Sequence, residues 1–104
     1  MGLLDLFGFG SKKAAMTEAV KTGAVIIDVR EPSEYSRGNC PGSLNIPLGT
    51  IESRVDEIKA KGKPVVTCCR SRMRSAQAKG ILQSAGVEVY NGGSWQNVRT
   101  MLES

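Results

Sequence analysis

The sequence predicts an α/β domain with three layers, a mostly parallel sheet between helices on both faces. Three observations carry this. Strand-like and helix-like segments alternate along the chain, as they do in the βα units that build parallel sheets. Two runs, residues 24–29 and 63–67, are nearly continuous in apolar and β-branched residues, as strands covered on both faces require. On either side of them, apolar residues recur at helical spacing and stop at glycines, Gly23 and Gly86.

The elements follow in order. Ser11 can cap a helix over residues 12–22, with Met16, Ala19 and Val20 on its inner face and Gly23 as its stop. Residues 24–29 form the first strand. Glu31-Pro32-Ser33-Glu34-Tyr35 suits a helical turn with proline in its first turn. Residues 38–42 are a loop, and Ser43-Leu44-Asn45-Ile46 a short strand stopped by Pro47. Thr50 can cap a helix with Ile51, Val55 and Ile58 on one stripe; Lys59 and Lys61 sit at its C-terminal end, where cations are favoured. Residues 63–67 are the second buried strand. Residues 74–85 form a helix with Ala78, Ile81, Leu82 and Ala85 on one face and Gly86 as its stop. Residues 87–90 read as a strand, Asn91-Gly92-Gly93 as a turn, and residues 95–102 as a closing helix.

At 104 residues the chain holds one domain with a core of modest size, residues 11–104, preceded by an apolar N-terminal segment, residues 1–10. The net charge is +4, but only Lys12-Lys13 and the arginines near residue 72 are dense. Neither is long enough for a nucleic-acid arm, and aromatics to stack bases make up only 5% of the chain, so no nucleic-acid partner is expected. Three cysteines, an odd number, argue against a disulfide framework and for a reducing, cytoplasmic setting. Without histidine or paired CxxC spacing, no structural zinc is expected. The segment from Leu3 to Phe9 contains Asp5 and is too short to span a bilayer. Leu6 stands where a myristoylation signal wants Ser or Thr. Packing on the body, or fraying, is read ahead of membrane contact through this segment.

The chemistry points to Val65-Val66-Thr67-Cys68-Cys69-Arg70-Ser71-Arg72-Met73-Arg74-Ser75. An apolar strand ends in cysteine, a short loop with three arginines and no acid follows, and then a helix begins. Backbone N–H groups turned inward, the positive end of the helix dipole and nearby cations all lower a thiol's pKa. With no histidine in the chain, a Cys–His pair is excluded, and cysteine chemistry must run on electrostatic activation.

These residues carry a family likeness. Asp28-Val29-Arg30 with Glu34-Tyr35, then Gly38, Pro41-Gly42-Ser43-Leu44-Asn45-Ile46-Pro47, Cys69-Arg70-Ser71 with Arg74-Ser75-Ala76, and Gly92-Gly93 closely resemble the single-domain rhodaneses, which are sulfurtransferases. The likeness spans about residues 11–102, in the family's order and spacing. It implies a central five-stranded sheet and a Cys69 nucleophile, with Arg70, Ser71, Arg72, Met73, Arg74 and Ser75 forming the substrate-binding loop. The chain departs from the pattern at four places: Asn39-Cys40 replaces the usual His-Ile, Cys68 a frequent Tyr, Arg72 the usual loop Gly, and Trp95 stands early in the last helix. Arg72 matters most, because a glycine there commonly supplies a positive φ. Either the arginine tolerates that strain or the loop is remodelled.

Each site residue has a plainer alternative. A free cysteine is usually a small buried hydrophobe, but the strand–loop–helix setting and the arginines favour a nucleophile at Cys69. Cys68 should point to the other face of the strand. It nevertheless makes Cys-x5-Arg with Arg74, the protein-tyrosine-phosphatase signature, whereas Cys69 makes the shorter Cys-x4-Arg. Arg70 and Arg72 face the pocket mouth and attract an anionic sulfur donor such as thiosulfate, or else form a solvated rim. Arg74 anchors the loop by pairing with an acid; Asp28 could sit near it. Ser71 and Ser75 donate to substrate or simply cap. Tyr35 and Trp95 read as packing residues, and Cys40 as an incidental loop cysteine.

The resulting expectation is a sulfurtransferase that moves a sulfane sulfur from thiosulfate or a persulfide donor to cyanide, a small thiol or a protein thiol, with no metal or organic cofactor. Two other classes use the same loop. One is a cysteine-dependent phosphatase or arsenate reductase; the other is a sulfur-carrier or redox module with little turnover.

Overall fold

A computed structural model describes residues 8–104, with side chains from residue 12 onward. The Leu3–Phe9 side chains, and with them the reading of membrane contact, lie outside the described residues. Among those described, no helix is long and apolar enough to cross a membrane.

Four parallel strands, β1 (Val25–Asp28), β2 (Leu44–Asn45), β3 (Val65–Cys69) and β4 (Val89–Ser94), form one sheet in the order β2-β1-β3-β4. Helices α1 (Gly8–Lys21), α2 (Pro32–Ser36), α3 (Val55–Lys59), α4 (Met73–Ser84) and α5 (Trp95–Glu103) alternate with them. The sheet separates two apolar clusters. Ile27, Val29, Val65 and Cys69 face Ile58 of α3 and Ala78 and Leu82 of α4. Ile26, Val66 and Cys68 face Val20 of α1 and Val98 and Met101 of α5. Residue alternation along β3 therefore sends the two adjacent cysteines into different layers.

Several expectations are corrected. Among the described residues the sheet has four strands rather than five, all parallel. The β-branched runs among the described residues are used in these four, and the segment before β1, rich in Ala, Lys, Met and Glu, winds as helix. That helix begins at Gly8 and passes through Ser11, which is therefore no cap. Thr50 does not cap a regular helix either. Two 3-10 turns, Leu48–Thr50 and Glu52–Arg54, precede α3, and the Thr50 hydroxyl donates back to the Pro47 carbonyl at 2.8 Å.

The largest difference is at Asn91-Gly92-Gly93, which is not a turn but part of β4. Here β4 bulges against β3: Thr67 pairs with Asn91, but Cys69 pairs with Ser94. Gly92 lets the strand lie under α5, since a Cβ there would meet Val98 Cγ2 at 2.5 Å and the Thr67 carbonyl oxygen at 2.9 Å. Ser94 then caps α5 by accepting the Asn97 N–H at 3.1 Å.

Candidate active site

Cys69 ends β3, at the C-terminal edge of a parallel sheet, where such folds place their chemistry. Its side chain is 1% exposed. The chain leaves the strand, curls through Arg70, Ser71 and Arg72, and enters α4 at Met73. The Arg72 N–H donates to Cys69 Sγ at 3.0 Å and the Ser75 N–H at 3.4 Å. Arg72 is the N-cap residue of α4 and Ser75 lies in its first turn, so the sulfur sits at the positive end of the helix dipole. The Ser75 hydroxyl lies 3.3 Å from the sulfur. Burial alone would raise the Cys69 pKa; hydrogen bonds from the Ser75 hydroxyl and from the N–H groups of Ser75, Ser71 and Arg72 outweigh it and leave the thiol below its ordinary value.

Arg72 holds the conformation that glycine usually supplies. Its φ is +96°, the only positive φ at a non-glycine residue among those described. Of the two possibilities the sequence leaves open, strain is the one adopted, and it aims the Arg72 N–H at the sulfur. The Arg72 guanidinium lies over Gly93, where an added Cβ would sit 3.3 Å from Nη2.

The arginines divide into two kinds. Arg74 forms a two-pronged pair with Glu34 of α2, Nη1–Oε1 at 2.6 Å and Nη2–Oε2 at 2.9 Å. The Arg74 guanidinium holds the Glu34 carboxyl down at about 2, with help from the Glu31 N–H. An acid thus does reach the loop, but from elsewhere in the chain, and it is not Asp28. Asp28 is buried against Arg30, which donates to it from Nε and from Nη2, the latter at 2.7 Å. Arg30 also donates to the carbonyls of Glu34 and Gly38. Arg70 and Arg72 are exposed, and neither forms an ion pair among the described residues. Ser71 is exposed on the loop, and Met73 is 73% exposed at the start of α4.

Cys68 lies fully buried on the opposite face, among Val20, Val66, Val98 and Met101. Burial and the charge of Asp28 push its thiol well up. Cys40 is buried in the same cluster rather than loose in a surface loop, and burial raises its pKa as well. All three cysteines are free thiols. Tyr35 donates to the Ser43 carbonyl at 2.7 Å, and the guanidinium groups of Arg30 and Arg99 each lie over the Trp95 ring, 5.2 Å from its centroid.

Two residues of the site were missed by sequence reasoning. Glu34 stands in the quoted motif but gives no sign of its partner. Asn91 looks like turn punctuation before Gly-Gly, yet its Oδ1 lies 2.6 Å from the Ser75 hydroxyl. No local pattern signals either contact.

A family model described as a rhodanese-like domain matches residues 12–98. A sulfurtransferase of Allochromatium vinosum is 38% identical over 76 residues, covering 73% of this chain and 66% of that protein. The Bacillus subtilis protein YqhL is 42% identical over 69 residues, 65% of this chain and 54% of the relative, so the chain spans about half of that protein's length. Among solved structures, a rhodanese with anions from E. coli superposes with a TM-score of 0.65 at 32% identity, covering 72% of this chain and 91% of that one. With the cysteine loop, the parallel sheet and these matches in agreement, the chain belongs to the rhodanese-like domain family.

Proposed function

We propose that the chain is a sulfurtransferase that works by double displacement through a Cys69 persulfide. The observation that carries this is the placement of one buried sulfur under two backbone N–H groups, with a lowered pKa and no histidine. In the first step the Cys69 thiolate attacks the outer sulfur of thiosulfate. A sulfur–sulfur bond forms, and the bond to the oxidised sulfur breaks with its electron pair leaving on sulfite. The product is a Cys69 persulfide anion. In the second step cyanide or a thiolate attacks the terminal sulfur, and Cys69 leaves as thiolate. Charge and atoms balance in each step without a cofactor.

The two unpaired arginines, Arg70 and Arg72, suit a doubly charged donor at the mouth of the loop. Arg74 and Glu34 fix the loop, and the Ser75 N–H and hydroxyl attend the sulfur. Free thiols at all three cysteines fit a reducing compartment. The position of Cys68 supports the shorter loop register over a phosphatase loop, because a nucleophile buried beneath α1 and α5 would face away from the arginines.

Intact mass after exposure to thiosulfate tests the proposal. One added sulfur should map to Cys69, be removed by cyanide, and be absent from Cys69→Ser. Cys68→Ser should keep most of the activity. Hydrolysis of an aryl phosphate without sulfur loading would overturn the reading, as would loss of loading in Cys68→Ser alone.

A further inference from the structure

Asn91 lies one strand away from the nucleophile, and the reaction above assigns it nothing. Its side-chain orientation is fixed by a backbone group. The Gly93 N–H points at Oδ1 from 2.9 Å, which only an acceptor satisfies, and Nδ2 then faces the Arg72 carbonyl at 3.4 Å. The Ser75 hydroxyl, 2.6 Å from Oδ1, must therefore be the donor of that bond. A hydroxyl has a single proton. Three acceptors surround this one: Asn91 Oδ1 at 2.6 Å, the Arg72 carbonyl at 2.9 Å, and the Cys69 sulfur at 3.3 Å. With the proton on Asn91, the Ser75 lone pairs face the sulfur. That suits a thiol, which donates its S–H to Ser75, and opposes a thiolate, which needs a donor.

We propose that Asn91 is a positioning residue for Cys69: it takes the Ser75 hydroxyl proton whenever the Cys69 sulfur is uncharged and releases it when that sulfur becomes an anion. The hydroxyl turns toward Asn91 in the thiol, toward the sulfur in the thiolate, and back toward Asn91 in the persulfide, whose charge sits on the outer sulfur. No bond to hydrogen breaks; the proton stays on Ser75 throughout. Asn91 thereby favours the sulfur-loaded state over the free thiolate. The bulge in β4 makes this possible, because it turns Asn91 toward Ser75 while Gly93 folds back onto the same carbonyl oxygen.

Other charges near the sulfur are already committed or remote from this choice. Arg74 is paired with Glu34, and Asp28 with Arg30. Burial pushes the Cys68 thiol, on the far face of β3, well up. Arg70 and Arg72 are exposed cations of the loop, and Lys12 and Lys13 of α1 and Lys79 of α4 line the open pocket beside Arg72 and Asn91, all cations that the Asn91 and Ser75 variants below leave in place. On β4, Tyr90 donates to Glu88 at an exposed position.

The inference rests on Cys69 being the nucleophile. The pH dependence of Cys69 alkylation tests it without any sulfur donor, so a failure here and a failure of sulfur loading are read separately. Asn91→Ala should lower the alkylation midpoint by about half to one pH unit, the worth of one released hydrogen bond. Asn91→Asp, a stronger acceptor with a charge, should raise it. In a Ser75→Ala background, Asn91→Ala should shift nothing. A merely structural role for Asn91 would move both single variants the same way and would persist without Ser75. If an alanine variant fails to fold, NMR on the wild-type chain carries the test. The Asn91 side-chain carbonyl carbon should move upfield and the Gly93 amide proton downfield through the Cys69 midpoint. Static signals there, or an unchanged or raised midpoint in a folded Asn91→Ala, overturn the proposal.

Discussion

Replacing Arg72 with glycine separates two things this residue does. Its backbone sits at φ +96° and ψ −25°, outside the left-handed well that L-residues normally occupy. A non-glycine residue there costs about 1–2 kcal/mol. Glycine removes that cost but returns about 0.5–1 kcal/mol through the freedom it adds to the unfolded chain. Arg72→Gly should therefore stabilise the fold by about 1 kcal/mol, raising Tm by about 4–8 °C in a domain of this size. The N–H that reaches Cys69 Sγ at 3.0 Å belongs to the main chain, so glycine keeps it. The guanidinium is lost, and with it a cation for an anionic donor. KM for thiosulfate should rise and its salt dependence flatten, while kcat changes little, because a cation at the mouth binds ground state and transition state about alike. Thermal and urea unfolding give the first quantity, and steady-state kinetics at low and high salt the second. A Tm that stays level or falls would refute the strain argument. An unchanged KM and salt slope would place the Arg72 charge outside the donor's reach.

Two further outcomes are expected. The Glu34 carboxylate titrates near 2 in the fold against an ordinary 4.5, a lowered value, so its pair with Arg74 stabilises the protein above pH 4.5 and that contribution fades as pH falls toward 2. The stability difference between wild type and Glu34→Gln, from urea midpoints across that range, should shrink with falling pH; a difference independent of pH would contradict the pairing. Gly92→Ala puts a methyl 2.5 Å from Val98 Cγ2 and 2.9 Å from the Thr67 carbonyl oxygen, neither of which can move without shifting α5 or the sheet. It should cost about 1–3 kcal/mol or more and lower the urea midpoint accordingly, and a midpoint near wild type would show that α5 yields easily.

Local sequence signals carry the frame and the candidate nucleophile, Cys69. Apolar runs without polar relief mark β1 and β3 as covered strands. Alternation along β3 places Cys68 and Cys69 on opposite faces. The stripe of Ala78, Ile81 and Leu82 marks α4, and the change from apolar strand to arginine loop marks where the sulfur emerges. All of this is local, set by neighbours a few residues apart, and such signals survive in one dimension. What the tertiary structure alone decides is which distant groups meet at the loop. Glu34 meets Arg74 across forty positions of chain, a contact set by where α2 lies beside α4. Asn91 reaches Ser75 only because β4 continues past its apolar part and bulges beside Cys69, where composition alone reads Asn-Gly-Gly as a turn. The reason is the same in both cases. Hydrogen bonds and ion pairs depend on distances of a few ångströms, and those are fixed by how the layers pack rather than by any periodicity along the chain.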